Sequence, residues 1–242
     1  MKKFFESLAN AWKIEELKNR ILITIGLLLV YRFGAQVTLP GIDAAQLGNL
    51  AGQTKDGIGS ILDMFTGGAF SQASVFALGI MPYISASIVV QLMGIAIPYL
   101  QKLQKEGESG TKKINQITRW LTIGITLVQG PGYIYNLYRT LPSSAFLLGF
   151  DSFSFLFSSV VILVTGTIFA MWLGEKITDK GIGNGISLLI MVGIIARLPQ
   201  AFIQEFTTRV TNNNGGPMLL VLEVIIWLLV IVACIYLVMA IR

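Results

Sequence analysis

Side chains able to act as acids, bases, nucleophiles or metal ligands are scarce in this sequence and are not spaced for such chemistry. There is no histidine, and the single cysteine is Cys234. No Gly-x-Ser-x-Gly turn occurs, and no acidic pair or cysteine cluster has metal-ligand spacing. The glycine string 181–185 lacks the Gly-Lys-Ser/Thr ending of a phosphate-binding loop, so it is interpreted as a turn capped by Asn184. The sequence therefore predicts no enzyme, no metal site and no cofactor.

Composition instead indicates an integral membrane protein. Apolar residues make up 54% of the chain and charged residues 13%, and the mean hydropathy is +0.70. Runs long enough to cross about 30 Å of hydrocarbon, roughly 20 residues each, recur along the chain. The predicted fold is an all-α polytopic membrane helix bundle of six spans, after a charged amino-terminal segment 1–20. The spans are expected near residues 21–39, 74–95, 120–138, 152–173, 186–204 and 218–241.

Lysine and arginine set the expected orientation, because they are retained in cytoplasmic loops. Most of the 18 basic residues fall before the first span, between the second and third spans, or before the fifth. Both termini are therefore predicted to be cytoplasmic. Arg32 and Arg197 lie inside the outer ends of their spans, where a long side chain can extend to the headgroups.

Two polar segments have two open interpretations each. Phe5, Leu8 and Trp12 recur at helical spacing among charges, which is typical of an amphipathic helix on a lipid surface, or of a docking site for a partner subunit. The predicted cytoplasmic loop, about 100–118, is either simply solvated or a basic surface for a cytosolic partner or nucleic acid.

The segment 40–72 is too long for a simple connector. Within it, Ile58, Ile61, Leu62 and Phe65 follow i, i+3, i+4, i+7, one face of a two-turn helix flanked by glycines. So short a helix is unstable alone in water and must pack against the bundle. It is either a re-entrant decoration or a movable stopper for a pore.

Four separated motifs occur at residues 62–68, 77–88, 105–110 and 181–187. Together and in this order they resemble the SecY family, the channel subunit of the bacterial Sec protein translocase. The resemblance covers the whole chain but only the amino-terminal half of the family. It implies a protein-conducting channel that moves unfolded secretory proteins across the bacterial cytoplasmic membrane and membrane proteins into it.

The resemblance also implies roles for particular residues. The segment of about 57–68 would be the plug that closes the channel from outside. Branched side chains at a pore constriction resist wetting and block ions. The implied pore ring is Ile80, Ile84, Ile186 and Ile190; the plug side chains are Ile58, Ile61, Leu62, Met64 and Phe65; the lateral gate contains Ser87, Gln91 and Gln129; the partner-binding loop carries Lys105, Lys112 and Lys113.

The implied partners are the membrane subunits SecE and SecG, the SecA motor and the ribosome on the cytoplasmic side, signal sequences, unfolded polypeptides and the lipid bilayer. The family has two halves related by inverted topology, so a carboxy-terminal half is also expected. Without it, the chain would be a non-functional half-channel. A small-solute transporter is the other alternative, although the spans offer almost none of the intramembrane charge that such a site needs.

Overall fold

A computed structural model describes residues 14–47, 58–146, 152–211 and 216–241. The predicted amphipathic helix around Phe5, Leu8 and Trp12 lies outside these ranges. Within them the chain is helical, apart from turns, two short 3₁₀ segments and two isolated bridges, Thr38 with Ser74 and Ile42 with Phe146. The α-helices are α1 (Glu15–Gly34), α2 (Ile58–Phe65), α3 (Met81–Ala96), α4 (Pro98–Lys105), α5 (Glu108–Thr140), α6 (Ser152–Lys180), α7 (Gly185–Thr211) and α8 (Gly216–Ile241).

The chain divides into two compact units, residues 1–195 and 196–242. In the first unit, α5 packs against α3, α4 and α6, and α6 also contacts α1 and α3. The second unit contains the end of α7 and all of α8. No residue of the 222–240 stretch of α8 is buried, as expected for an apolar helix whose surroundings are lipid.

Some of the predicted spans are long enough and apolar enough to cross a membrane. Among the described residues three helical stretches qualify, Phe153–Lys180, Gly185–Thr208 and Leu222–Ala240, or four if the bent pair α3 and α4 forms one span. Helices α1 and α5 overlap the first and third predicted spans but are less apolar. Charges at both ends of α1, and polar groups such as Gln129 and Asn136 in α5, explain the difference. The number of spans stays a prediction.

The second predicted span, 74–95, differs most from the observed helix. Helix α3 begins only at Met81, because the preceding residues turn repeatedly, with positive φ angles at Ala73 (45°) and Gly79 (54°). This turning segment is bound on its backbone: the Leu39 N–H donates to the Ala73 carbonyl at 2.8 Å, and the Val75 N–H donates to the Val37 carbonyl at 2.9 Å. It therefore lies inside the fold as irregular chain sheltered by helices.

The predicted polar loop at about 100–118 is mostly helical, with a short turn between two helices. Helix α3 ends at Ala96, and the following Pro98 holds Ile97 in an extended conformation. Helix α4 leaves at 102° to α3. The turn between α4 and α5 is confined to Glu106 and Gly107. It is tight because Gly110 approaches the Leu103 carbonyl so closely that a Cβ there would lie 1.8 Å from the oxygen.

Two apolar clusters form the core of the first unit. One joins the 39–47 segment and the 70–77 turns to α5 and the start of α6, and includes Phe70 packed on Tyr133 with ring centroids 4.9 Å apart. The other joins α1, the 69–80 turns, α6 and α7, and includes Tyr31 stacked on Phe76 at 5.5 Å. The 69–80 turns contribute side chains to both clusters, so this segment fixes the position of α2 relative to the long helices.

Candidate functional site

Helix α2 lies against the bundle with one side covered. Leu62 and Phe65 are half-buried, whereas Ile61 and Met64 are exposed. Asp63 is buried, and its Oδ1 accepts a hydrogen bond from the Ser71 N–H at 2.8 Å. The side chain of Ile58 lies outside the described part of the chain. The predicted short helix is present, and its buried carboxylate ties it to the turns that follow.

The chain reverses after α2 through two glycines. Gly67 has φ +65° and Gly68 φ +97°, values that residues other than glycine adopt only with strain. Thr66 caps this reversal, because its hydroxyl donates to the Leu62 carbonyl at 3.0 Å and accepts from the Phe70 N–H at 3.2 Å. A Cβ on Gly67 would lie 2.8 Å from the Gly193 Cα of α7. The base of α2 is therefore in backbone contact with α7.

The prediction that Arg32 extends to the headgroups is wrong. Its Nη1 instead donates to the Gly67 carbonyl at 2.8 Å. The sequence offers no signal for this pairing, since the two residues lie 35 positions apart in the chain.

A cavity of about 320 Å³ opens beside α2. Its wall combines apolar and polar side chains from α2, the 66–78 turns, α3 and α5. The polar part includes Ser85, Gln129, Tyr133 and Asn136. The Tyr133 hydroxyl donates to the Phe70 carbonyl at 2.8 Å, which fixes one wall of the cavity to the turns after α2.

The three predicted gate residues are not brought together in this cavity. Gln129 lines it, whereas Ser87 and Gln91 pair with each other on α3, where the Gln91 amide donates to the Ser87 hydroxyl at 3.2 Å. The serine of α3 that lines the cavity is Ser85. Ser85 and Ser87 lie two positions apart on α3, and helical periodicity alone could not decide which of them faces α5.

The four predicted ring isoleucines fall in two environments. Ile80 is buried, 4% exposed, in the cluster that joins α1, α6 and α7, and Ile84 and Ile186 pack against that cluster while remaining half-buried. Ile190 instead lines an open hollow of about 350 Å³ on α7, together with Ser187, Met191, Ile194 and Ile195. The i, i+4 spacing within each pair is retained, and three of the four side chains share one apolar cluster.

The α6–α7 turn positions the start of α7. As predicted, Asn184 caps the helix: its Oδ1 accepts from the Ile186 N–H at 3.1 Å and the Ser187 N–H at 3.2 Å. The turn is also bound to α1, because the Thr24 hydroxyl accepts from the Ile182 N–H at 3.1 Å and donates to the Arg20 carbonyl at 2.8 Å. Thr24 is a positioning residue that the sequence analysis missed.

Replacing Thr24 with valine should loosen this turn. Valine keeps the shape but leaves the Ile182 N–H without its acceptor, which costs about 1 kcal/mol, or about a fivefold increase in opening. Trypsin cleavage after the exposed Lys180 should accelerate by that factor. Thr111→Val is the matched control, since the Thr111 hydroxyl donates only to the Gly107 carbonyl in the turn between α4 and α5. Equal cleavage rates in wild type and Thr24→Val would contradict the prediction.

The predicted partner-binding lysines are exposed around the α4–α5 turn. Lys105 ends α4, and Lys112 and Lys113 lie in the first turns of α5. Lys112 pairs with Glu108 one turn earlier at 2.9 Å, an exposed pair of little energetic weight. Among the described residues, no group of three or more His, Cys, Asp or Glu side chains could hold a metal ion.

The family model described as SecY matches residues 74–242. This chain belongs to the SecY family. Protein translocase subunit SecY of Escherichia coli (strain K12) is 51% identical over 186 residues, covering 77% of this chain and 42% of the relative. The SecY subunit of Buchnera aphidicola subsp. Schizaphis graminum is 44% identical over 227 residues, covering 93% and 51%. The chain thus spans about half the length of these SecY relatives, and matches the resemblance drawn from its motifs.

A solved structure titled "Sec61 in the Canine ribosome-channel complex from the endoplasmic reticulum" is similar at 20% sequence identity and a TM-score of 0.45. The similarity covers 87% of this chain and 42% of that one. With SecY-family membership and its long apolar helices, the chain is a multi-pass membrane protein of all-helical fold.

Proposed function

We propose that this chain supplies the amino-terminal half of a protein-conducting channel, which moves unfolded polypeptides across the bacterial cytoplasmic membrane and membrane proteins into it. The observation that carries the proposal is the 51% identity to a protein translocase subunit over 77% of the chain. No catalytic step is assigned to the chain, so the energy for transport would come from an external motor or from the ribosome.

In this proposal α2 is the plug. Its support is the way α2 is held: the helix is anchored at its base by backbone contacts to α7 and has two exposed apolar side chains, Ile61 and Met64. Glycines with positive φ at its base form a hinge about which a short helix can swing as a unit. A segment held at one end, with exposed apolar groups along its free side, is suited to reversible displacement.

The proposed pore ring is formed by Ile80, Ile84, Ile186 and Ile190. Support comes from α3 and α7 contributing to the same apolar cluster, so that the two pairs lie on helices joined through one packed core. A narrow ring of branched aliphatic side chains excludes water and ions while yielding to an extended polypeptide. Ile80 is packed inside the cluster in this conformation, and its contribution to a ring requires α3 to move.

The proposed gate is the cavity beside α2, with Gln129 in its wall and Ser87 and Gln91 further along α3. Polar side chains inside a membrane cost free energy unless they face a cavity or find partners. Gln129 faces the cavity, and Ser87 and Gln91 form a hydrogen bond with each other. Signal sequences, as apolar helices, would pass here from the pore towards lipid.

On the cytoplasmic side, the exposed lysines Lys105, Lys112 and Lys113 would contact the SecA motor or the ribosome. Basic side chains at a tight helical turn present a fixed positive surface to acidic protein or RNA. SecE and SecG would be the membrane neighbours, and a carboxy-terminal half would complete the channel. Both termini would be cytoplasmic by the distribution of basic residues.

Deleting residues 58–67 tests the plug. The chain should still insert, because the long apolar helices that drive insertion remain. When it is coexpressed with the carboxy-terminal half of a SecY relative, vesicles should lose ions faster than vesicles with the intact chain. The isoleucine ring is then the only barrier, and each transient wetting of the ring opens a path that α2 no longer covers. The measurement is dissipation of a potassium gradient. The control is Lys112→Gln, which changes an exposed side chain in the first turns of α5 and should leave the gradient intact. An unchanged gradient after the 58–67 deletion would show that α2 is not a plug.

A further inference from the structure

Arg32 occupies the last turn of α1, two residues before the helix ends at Gly34. A long cationic side chain near the end of a span ordinarily extends to lipid headgroups or water. Here it is half-buried and its Nη1 is directed to a backbone carbonyl, that of Gly67, at 2.8 Å. A hydrogen bond with a charged donor is stronger than one between neutral groups. The contact therefore holds a residue that belongs to the hinge of α2.

Gly67 is enclosed on two sides. A Cβ built there would lie 2.8 Å from both the Cα and the carbonyl oxygen of Gly193, and 2.9 Å from Arg32 Nη1. The reverse also holds, because a Cβ on Gly193 would lie 2.9 Å from the carbonyl oxygen of Phe65, the last residue of α2. The end of α2 is thus clamped between an arginine of α1 and the bare backbone of α7.

We propose that Arg32 is a positioning residue that latches α2 in its closed position through the Gly67 carbonyl, with Gly193 as the surface against which the hinge rests. The effect of this latch on transport depends on the proposed plug role of α2. Opening α2 separates Arg32 from its acceptor, after which the guanidinium must find headgroups or water. The latch thus biases a two-state element toward the closed state, by roughly ten- to a hundredfold for one charged hydrogen bond.

The position of α2 can be read without any transport assay, at Ser71. This residue is 3% exposed, its N–H donates to Asp63 of α2, and its hydroxyl donates to the Gly68 carbonyl at 3.2 Å. Ser71 therefore lies under α2 and the hinge. A chain carrying Ser71→Cys and Cys234→Ser has one thiol, which reacts with a soluble maleimide only while α2 is displaced.

The experiment compares maleimide labelling rates in membrane vesicles that contain this chain. Arg32→Gln should label at least about tenfold faster than the parent, from the loss of one charged hydrogen bond. Arg32→Lys should be intermediate, because an ammonium group can still donate one bond to the carbonyl. Arg139→Gln removes the same charge from the end of α5, where the guanidinium lies over Tyr135, and should label like the parent.

Gly193→Ala provides a second variant that leaves Arg32 in place. The added methyl group meets backbone atoms of the hinge, so labelling of the thiol introduced at position 71 should again accelerate. Labelling in Arg32→Gln that stays at the parent rate would overturn the latch, as would a rate that rises equally in Arg139→Gln.

A potassium-leak assay on the completed channel separates this proposal from the plug proposal. Faster labelling together with a faster leak supports both. Faster labelling with no leak supports the latch and overturns the plug role of α2. A leak that rises while labelling stays constant overturns the latch.

Discussion

Oxidising a cysteine pair placed at Thr66 and Gly79 is expected to stop protein transport through the completed channel. A Cβ on Gly79 would lie 3.8 Å from the Thr66 Cβ, which is the mean separation in natural disulfides. Thr66 lies between the end of α2 and the glycine hinge, so the bond would hold the base of α2 to the turn that precedes α3. Helix α2 can then no longer reach its displaced position, and each crosslinked channel should be inactive.

The measurement is uptake of an unfolded secretory precursor into vesicles, in a Cys234→Ser background. A cysteine at position 79 must adopt a φ of +54°, which strains it, so the reference is the reduced form of the same double variant. Transport should fall from that level in proportion to the crosslinked fraction and return to it on reduction. The matched control places cysteines at Gly130 and Val160, whose Cβ positions are 4.0 Å apart between α5 and α6. That disulfide lies within two helices that pack against each other, so transport should continue. Full transport by channels locked at 66 and 79 would mean that α2 does not need to move.

The long helices were predictable because each has a run of apolar residues longer than a soluble domain needs. Helices α5 to α8 begin or end within a few residues of capping or turn residues that the sequence shows, such as Asn184 before α7. The second predicted span was misjudged for a physical reason. Apolarity along 74–80 reports burial rather than helix, and here that burial is achieved by irregular chain whose carbonyls and N–H groups are satisfied by neighbouring segments.

The backbone conformation of the loop at 100–118 was not predictable from its polarity. The sequence placed a polar loop there but not its helices, although lysine, glutamate and glutamine are good helix formers. The break between the two helices is confined to Glu106 and Gly107, and Gly107 has φ +71°. Polarity thus reported exposure, and it carried little information on backbone conformation.

The candidate site was predictable as a set of segments and less so as a set of contacts. The i, i+3, i+4 spacing located α2, and the motif match located α3 and α7. Contacts such as Arg32 with Gly67, or Gly67 with Gly193, join residues 35 or more positions apart. Such contacts depend on how three helices cross, and no periodicity in one segment encodes that geometry.

The glycine contact between α6 and α7 should be the most sensitive packing point near the proposed ring. A Cβ on Gly185 would lie 2.0 Å from the Gly174 carbonyl oxygen and 2.7 Å from the Ile177 Cβ. Both are held by α6 itself, so neither can rotate away. Small residues at such crossings let membrane helices approach closely. Gly185→Ala must therefore force α6 and α7 apart at the point where α7 begins.

A graded series makes this prediction testable. Gly185→Ala should cost about 3 kcal/mol, the upper part of the range for overpacking. Gly174→Ala should cost less, because its nearest neighbour is the Ile186 Cγ1 at 2.9 Å, a side-chain atom that can shift. Gly124→Ala should be neutral or stabilising, since a Cβ there meets nothing within 4 Å and alanine favours helix.

From most to least heat-stable, the expected order is Gly124→Ala, Gly174→Ala and Gly185→Ala. The measurement is the temperature at which trypsin resistance is lost in detergent. Gly185→Ala should fall several degrees below the parent, at about 2–4 °C for each kcal/mol. Because Ile186 and Ile190 follow Gly185 on α7, the same substitution should also displace two members of the proposed ring. Gly185→Ala should then leak potassium in the completed channel even with α2 intact. Stability equal to that of Gly124→Ala would contradict the close approach of α6 and α7 on which the proposed ring depends.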